Sequence, residues 1–277
     1  MSQPLSRVRL AIAVALVCGA ALGLAIASSP PASAGGAATL RPDLVTLAIE
    51  QKDMMIERSA GETLLRLSNE VANAGPGPLE VFPSPASANC DGDGDPANDR
   101  DAAQRLFADS DASGSYDPGV DAVAEERGVG CMRYHPAHDH WHVVDFASYE
   151  LHRERTGKLT ANRRKVGFCI VDSRQAFAIP GSPAKPAYPF GPPGSVGCDA
   201  AATQGLSPGW ADVYVFALPG QQIDVSNVRR GRFCLVSRVD PADRLLEANE
   251  NNNVRRVRIA LRPKKLIVRR LAGKCRT

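Results

Sequence analysis

Short apolar runs separated by Gly- and Pro-rich turns recur along most of this chain, and they constrain its fold more than any other feature. Leu64 to Val71 reads as a strand with some alternation, Asn73 to Pro78 as a turn, and Leu79 to Phe82 as the return strand. Further apolar runs cover 143–151, Val166 to Val171, Asp212 to Leu218, Ile223 to Val228, Phe233 to Val239 and Val254 to Leu261, the last alternating Arg with Val and Ile. With 24 glycines and 21 prolines breaking the chain, long helices are excluded and an all-β sandwich with long irregular loops is predicted. Few short helices are expected, Ala102 to Phe107 among them. Residues 173–210, rich in Pro, Gly and Ala, form the longest expected loop, of the kind that is usually functional or disordered.

The two ends read differently from the middle. Arg7 and Arg9, an apolar stretch from Leu10 to Ala27 and a small-residue site at Ala32-Ser33-Ala34 spell an export signal over 1–34, with cleavage expected after Ala34. Pro30, Pro31 and that site favour cleavage over a retained anchor, so no stable membrane span is expected afterwards and the protein is predicted to be secreted. The main domain then covers 35–262, followed by a basic tail over 263–277. The chain has 33 basic and 30 acidic residues, a balance that argues against nucleic acid as a partner. The basic C-terminal region offers a contact for an acidic cell surface. Cys18 leaves with the signal. An even count in an exported chain implies disulfides, and pairing each of the remaining six with its nearest neighbour gives Cys90–Cys131, Cys169–Cys198 and Cys234–Cys275.

Residues 90–131 form an acidic insert. Asp91, Asp93, Asp95 and Asp99 stand at positions 1, 3, 5 and 9 of an EF-hand-type calcium loop. Asp109, Asp111, Ser113 and Asp117 repeat that spacing, with Gly114 at the sharp-turn position. Neither loop has the usual Glu at position 12, where Ala102 and Val120 stand; Asp101 and Asp121 lie one residue to either side. Calcium is therefore expected in this insert, which a Cys90–Cys131 bridge would clamp at its base. A solvated acidic loop is the plain alternative.

Four of the five histidines fall between His135 and His142. His138, His140 and His142 follow an i, i+2, i+4 spacing, which on a strand turns three imidazoles to one face. Such a trio suits Cu, Zn, Fe or Ni. Their setting in strand-like apolar residues argues against a solvated histidine tract.

Three segments together resemble the lysyl oxidase family of copper amine oxidases. They are His138-Asp-His140-Trp-His142 with Asp145-Phe146 and Tyr149-Glu150-Leu151, then Lys165-Val-Gly-Phe168-Cys169, then Thr203-Gln-Gly-Leu-Ser-Pro-Gly209 running on to Asp212-Val-Tyr214. The resemblance covers roughly residues 40–262 and leaves the acidic insert outside. It implies a β-sandwich, copper on His138, His140 and His142, and a lysine tyrosylquinone made from Lys165 and Tyr214. It also implies oxidation of primary amines, peptidyl lysine or smaller, by dioxygen to aldehyde, ammonia and hydrogen peroxide. Asp212, which would share a strand face with Tyr214, is the candidate base, with a structural hydrogen bond as its plain alternative. Trp210 and Ala137 stand where animal members have cysteines, so the disulfide network must differ. Two other functions compete: a non-catalytic extracellular metal-binding β-sandwich module, and a zinc or copper hydrolase. The Lys165 and Tyr214 pair discriminates, because a binding module needs neither.

Overall fold

A computed structural model describes residues 37–84, 89, 90, 92, 94, 95, 97–136, 139–190, 198 and 203–275; the side chains of 164–166 fall outside that description. The expected signal over 1–34 and the ligand His138 lie outside the described residues, as do Asp91 and Asp93.

The chain is built almost wholly of strands. The first eight are β1 (Thr39–Leu40), β2 (Leu44–Thr46), β3 (Met54–Ser59), β4 (Glu62–Leu67), β5 (Asn69–Asn73), β6 (Leu79–Pro83), β7 (Asp99–Ala108) and β8 (Val123–His135). Then come β9 (His140–Arg153), β10 (Leu159–Phe168), β11 (Arg174–Gln175), β12 (Gln204–Leu206) and β13 (Trp210–Tyr214). The last are β14 (Gln222–Asp224), β15 (Gly231–Val239), β16 (Val254–Arg262) and β17 (Ile267–Arg270). Ten strands make one sheet, in the order β12-β6-β7-β8-β9-β15-β16-β17 with β1 on β7 and β10 on β9. A four-stranded sheet (β11-β13-β5-β2) and a three-stranded one (β14-β4-β3) share a hydrophobic core with it, containing Leu44, Leu67 and Val71 beside Tyr149, Leu151 and Leu235. The all-β sandwich is thus borne out, and every pairing is antiparallel.

Two local expectations are corrected. Ala102 to Phe107 is not a helix but the middle of β7, hydrogen-bonded to β6 on one edge and β8 on the other. Ala, Gln, Arg and Leu favour helix, but intrinsic propensity is a small term, and burial of Ala102, Ala103, Leu106 and Phe107 in a sheet overrides it. The run before the 73–78 turn does not pair with Leu79 to Phe82. It splits at Ser68 into β4 and β5, and the turn carries the chain from a small sheet into the large one. Among the described residues the helical turns are two short 3-10 segments, Gln51–Asp53 and Pro263–Lys265.

The acidic insert is mostly sheet. β7 and β8 form a long hairpin, so the second calcium-like sequence becomes its tip and the first lies between β6 and β7. All three expected disulfides are present: Cys90–Cys131, Cys169–Cys198 and Cys234–Cys275. β17 lies beyond the expected domain end at residue 262 and extends the large sheet from β16.

Strand β9 organises the site. A strand has two edges, and β10 follows one of them along nearly the whole length of β9. The other edge pairs with β8 through residues 140–143 and with β15 through residues 147–153. Between these stretches Asp145 takes a left-handed conformation (φ 62°), and the register with β10 shifts on both sides of Val166. Bulges of this kind bend a strand and re-aim its side chains.

Candidate active site

His140 and His142, two apart at the start of β9, turn their rings to one cavity, with centroids 4.9 Å apart. The ring of His135 lies 5.0 Å from His142, across the β8–β9 pairing. Two imidazoles at this spacing are chemically suited to donate to a transition metal; His138, the third histidine of the sequence reading, lies outside the described residues. The backbone between them is pinned from both sides. Trp141 donates its N–H to the Cys198 carbonyl (2.7 Å), and its own carbonyl accepts from the Gln204 side chain (2.8 Å). The Gln204 Oε1 accepts from the Ile170 N–H (3.0 Å), so one fully buried amide ties the histidine strand to the segment after β10.

Tyr214 ends β13 and reaches that same segment. Its hydroxyl donates to the Cys169 carbonyl (2.5 Å), and its ring meets Phe168 edge-on at 4.0 Å. Lys165 lies three residues before Phe168 on β10. Gly167 lies so close to His142 that a Cβ there would come within 3.2 Å of the histidine Cβ. The chain segment bearing Lys165 is therefore bracketed by the histidine strand and by Tyr214. Burial pushes the Tyr214 phenol well above its ordinary pKa, with the nearby Asp212 adding to the effect. The neutral phenol is thus the form the structure holds.

Asp212 stands two residues before Tyr214 and lines the same cavity of about 380 Å³, with Val171, Leu218 and Phe190. It is 2 % exposed. Its Oδ1 accepts from the Ser173 hydroxyl (3.1 Å), and Oδ2 has no hydrogen-bond partner. Burial raises its pKa well above the ordinary carboxylate range, against the lowering effect of Ser173. Both roles considered for Asp212 find a footing here, since one oxygen is structurally bonded and the other is not.

The Thr203 to Gly209 run proves to be scaffolding around these groups. A Cβ at Gly205 would lie 2.6 Å from the Leu79 carbonyl oxygen and 2.7 Å from the Tyr188 ring. The Ser207 hydroxyl and N–H both donate to Asp172 (2.7 and 2.8 Å), which also accepts from Ala187 and Tyr188. Asp172 and Asn73, which bonds Leu206, escaped the sequence reading because their partners lie far along the chain or are backbone groups.

The residues of the two calcium-like sequences are placed unevenly. Asp99 is buried at the start of β7 beside the Cys90–Cys131 bridge, whereas Asp95 is exposed. At the hairpin tip Asp109 and Asp111 come together with Asp121, while Asp117 accepts from the N–H of Gly119 and Ser113 donates to the Ser115 carbonyl.

The lysyl oxidase family model matches residues 119–271, more than half of the chain. The chain belongs to the lysyl oxidase family. The match starts inside the acidic segment, which the resemblance in motifs had left outside, and runs past the expected domain end at residue 262. This lysyl oxidase family chain is 35% identical over 127 residues to lysyl oxidase homolog 1 of Homo sapiens, covering 46% of this chain and 20% of that protein. It is 32% identical over 127 residues to protein-lysine 6-oxidase of Rattus norvegicus (46% and 28%) and of Sus scrofa (46% and 45%). The aligned stretch is therefore less than half of each of these relatives.

Proposed function

We propose that this chain is a secreted copper-dependent amine oxidase that converts primary amines, peptidyl lysine or smaller, to aldehydes with release of ammonia and hydrogen peroxide. The observation that carries this reading is the Tyr214 hydroxyl on the Cys169 carbonyl, four residues from Lys165, in the cavity that also holds His140 and His142. The imidazoles fit copper, which His138, His140 and His142 would hold, and Lys165 and Tyr214 would be joined as lysine tyrosylquinone. When bound, copper and quinone supply an electrophilic carbonyl and the route for electrons to dioxygen.

The chain's own residues do the rest. Val171 and Leu218 offer apolar walls for the methylene chain of the amine. The unpartnered Oδ2 of Asp212 takes the proton from the carbon next to the amine nitrogen, while Ser173 keeps Oδ1 oriented. A raised pKa makes this carboxylate a stronger base than one in water. Phe190, its ring 5.9 Å from that of His140, shields the histidine side of the cavity. Gln204 acts as a positioning residue for the backbone between His140 and His142.

Secretion is supported by the N-terminal signal and by the three disulfides, which persist in oxidising compartments. Among the described residues no helix is long and apolar enough to cross a membrane. Arg255, Arg256 and Arg258 on β16, with Arg270 on β17, line a basic groove suited to an acidic cell surface.

The test is hydrogen peroxide release from a panel of primary amines by the copper-loaded protein, wild type against Lys165→Ala and Tyr214→Phe. Both variants are expected to be inactive, and a peptide joining Lys165 to Tyr214 is expected in the wild type alone. Peroxide release that survives in both would overturn the quinone, and copper binding with no turnover would favour the metal-binding module.

A further inference from the structure

We propose that the tip of the β7–β8 hairpin is a calcium site formed by Asp109, Asp111 and Asp121. Each offers a carboxylate oxygen, and these oxygens lie within 4.8 Å of one another. Proximity of acids alone would mean little, since solvated acidic loops are common. The deciding observation is Asp109, which is only 8 % exposed. Its Oδ2 accepts from the Gly114 N–H (3.0 Å), but its Oδ1 is buried with no hydrogen-bond partner. A buried anionic oxygen left without a partner is costly, and a cation between the three carboxylates relieves that cost.

The surroundings favour calcium. Asp121, also 8 % exposed, is held by two backbone donors: Oδ1 accepts from Ser110 and Oδ2 from Asp117, both at 2.8 Å. Asp111, which is exposed, accepts from the Ser113 N–H (3.0 Å). All three donors are hard oxygens on an irregular loop, the set that calcium takes. Asp109 and Asp111 occupy the first and third loop positions, while Asp121, one residue past the usual last ligand, supplies the closing carboxylate. The loop does not stand alone. The Tyr116 N–H donates to the Pro76 carbonyl (3.0 Å), and Gly181 of the loop after β11 packs so tightly on Tyr116 that a Cβ would lie 3.1 Å from its nitrogen. The ion would thus brace the hairpin tip against two other parts of the chain.

The test uses the full secreted protein, depleted of calcium. Titration with calcium is expected to raise the melting temperature of the wild type by several degrees. Terbium in place of calcium is expected to luminesce when tyrosine is excited, through Tyr116 in the same loop. Asp109→Asn should melt like the wild type without calcium and lose both responses. Asp111→Asn, at an exposed position that the fold does not depend on, should weaken calcium binding by about tenfold or more. Tyr116→Phe should lose the luminescence and keep the calcium-induced rise in melting temperature. A wild type that does not respond to calcium overturns the proposal. So do Asp109→Asn and Asp111→Asn proteins that fold and respond as the wild type does, because the ion would then sit elsewhere.

Discussion

At the scale of single residues, Asp212 is the carboxyl in the cavity whose chemistry is moved from its ordinary behaviour by burial. Burial favours its protonated form, so it becomes a carboxylate only above the usual range. A base must be deprotonated to act, so kcat/KM is expected to rise with pH through that raised value. Asp212→Asn should lower kcat/KM by about 10²–10⁴-fold and abolish the rising limb, which a pH profile of both proteins checks. The same shift affects stability. Between the ordinary and the raised pKa the folded chain holds a proton that the unfolded chain has lost, so stability declines as pH rises across that window. Gln204 gives a second prediction. Gln204→Leu leaves the Trp141 carbonyl and the Ile170 N–H unpaired in the core, at about 1–3 kcal/mol each, and should weaken copper binding measured by competition with a chelator. His140 and His142 could be singled out by their spacing, whereas Tyr214 was singled out only through the family resemblance of the segment that carries it. Asp172 was not, since a single Asp after an apolar run gives no sign of four donors arriving from two distant stretches.

At the scale of elements, the strands that alternate or carry β-branched residues were legible, and β9, β15 and β16 fall where their patterns place them. β7 was not. Its Asp-Ala-Ala-Gln-Arg-Leu stretch has helical composition, and only the pairing with β6 and β8 makes it a strand. Nor could the pattern show that β5 and β6 part company, because a Gly-Pro turn looks the same whether it joins neighbours or carries the chain between sheets. The turn before β13 allows a sharp test. Gly209 has φ +79°, and a Cβ there would lie 2.1 Å from the Ser182 hydroxyl and 2.5 Å from the Phe177 carbonyl oxygen. Gly209→Ala combines backbone strain with overpacking and should destabilise the protein by about 2–4 kcal/mol in chemical denaturation. Because β13 carries both Asp212 and Tyr214, the same variant should lose amine oxidation even where it remains folded.

At the scale of the whole molecule, two disulfides tie β8 and β15 to segments outside the sheets and a third joins the segment after β10 to Cys198, with sequence separations of 41, 41 and 29 residues. Loop-closure entropy assigns such bridges about 3–4 kcal/mol each. Reduction is therefore expected to lower the melting temperature by roughly 10 °C or more, read by calorimetry with and without reductant. Six cysteines allow fifteen connectivities, and the preference for nearest neighbours agrees with the structure because each bridge closes a local excursion of the chain. The pinning of Trp141 from both sides has a wider consequence. The strand that presents His140 and His142 is held by Cys198 and Gln204 through contacts that involve no metal. On the proposed reading, a secreted copper enzyme would leave the cell already shaped to receive its ion, and maturation would then be a matter of supply outside the cell and not of refolding there.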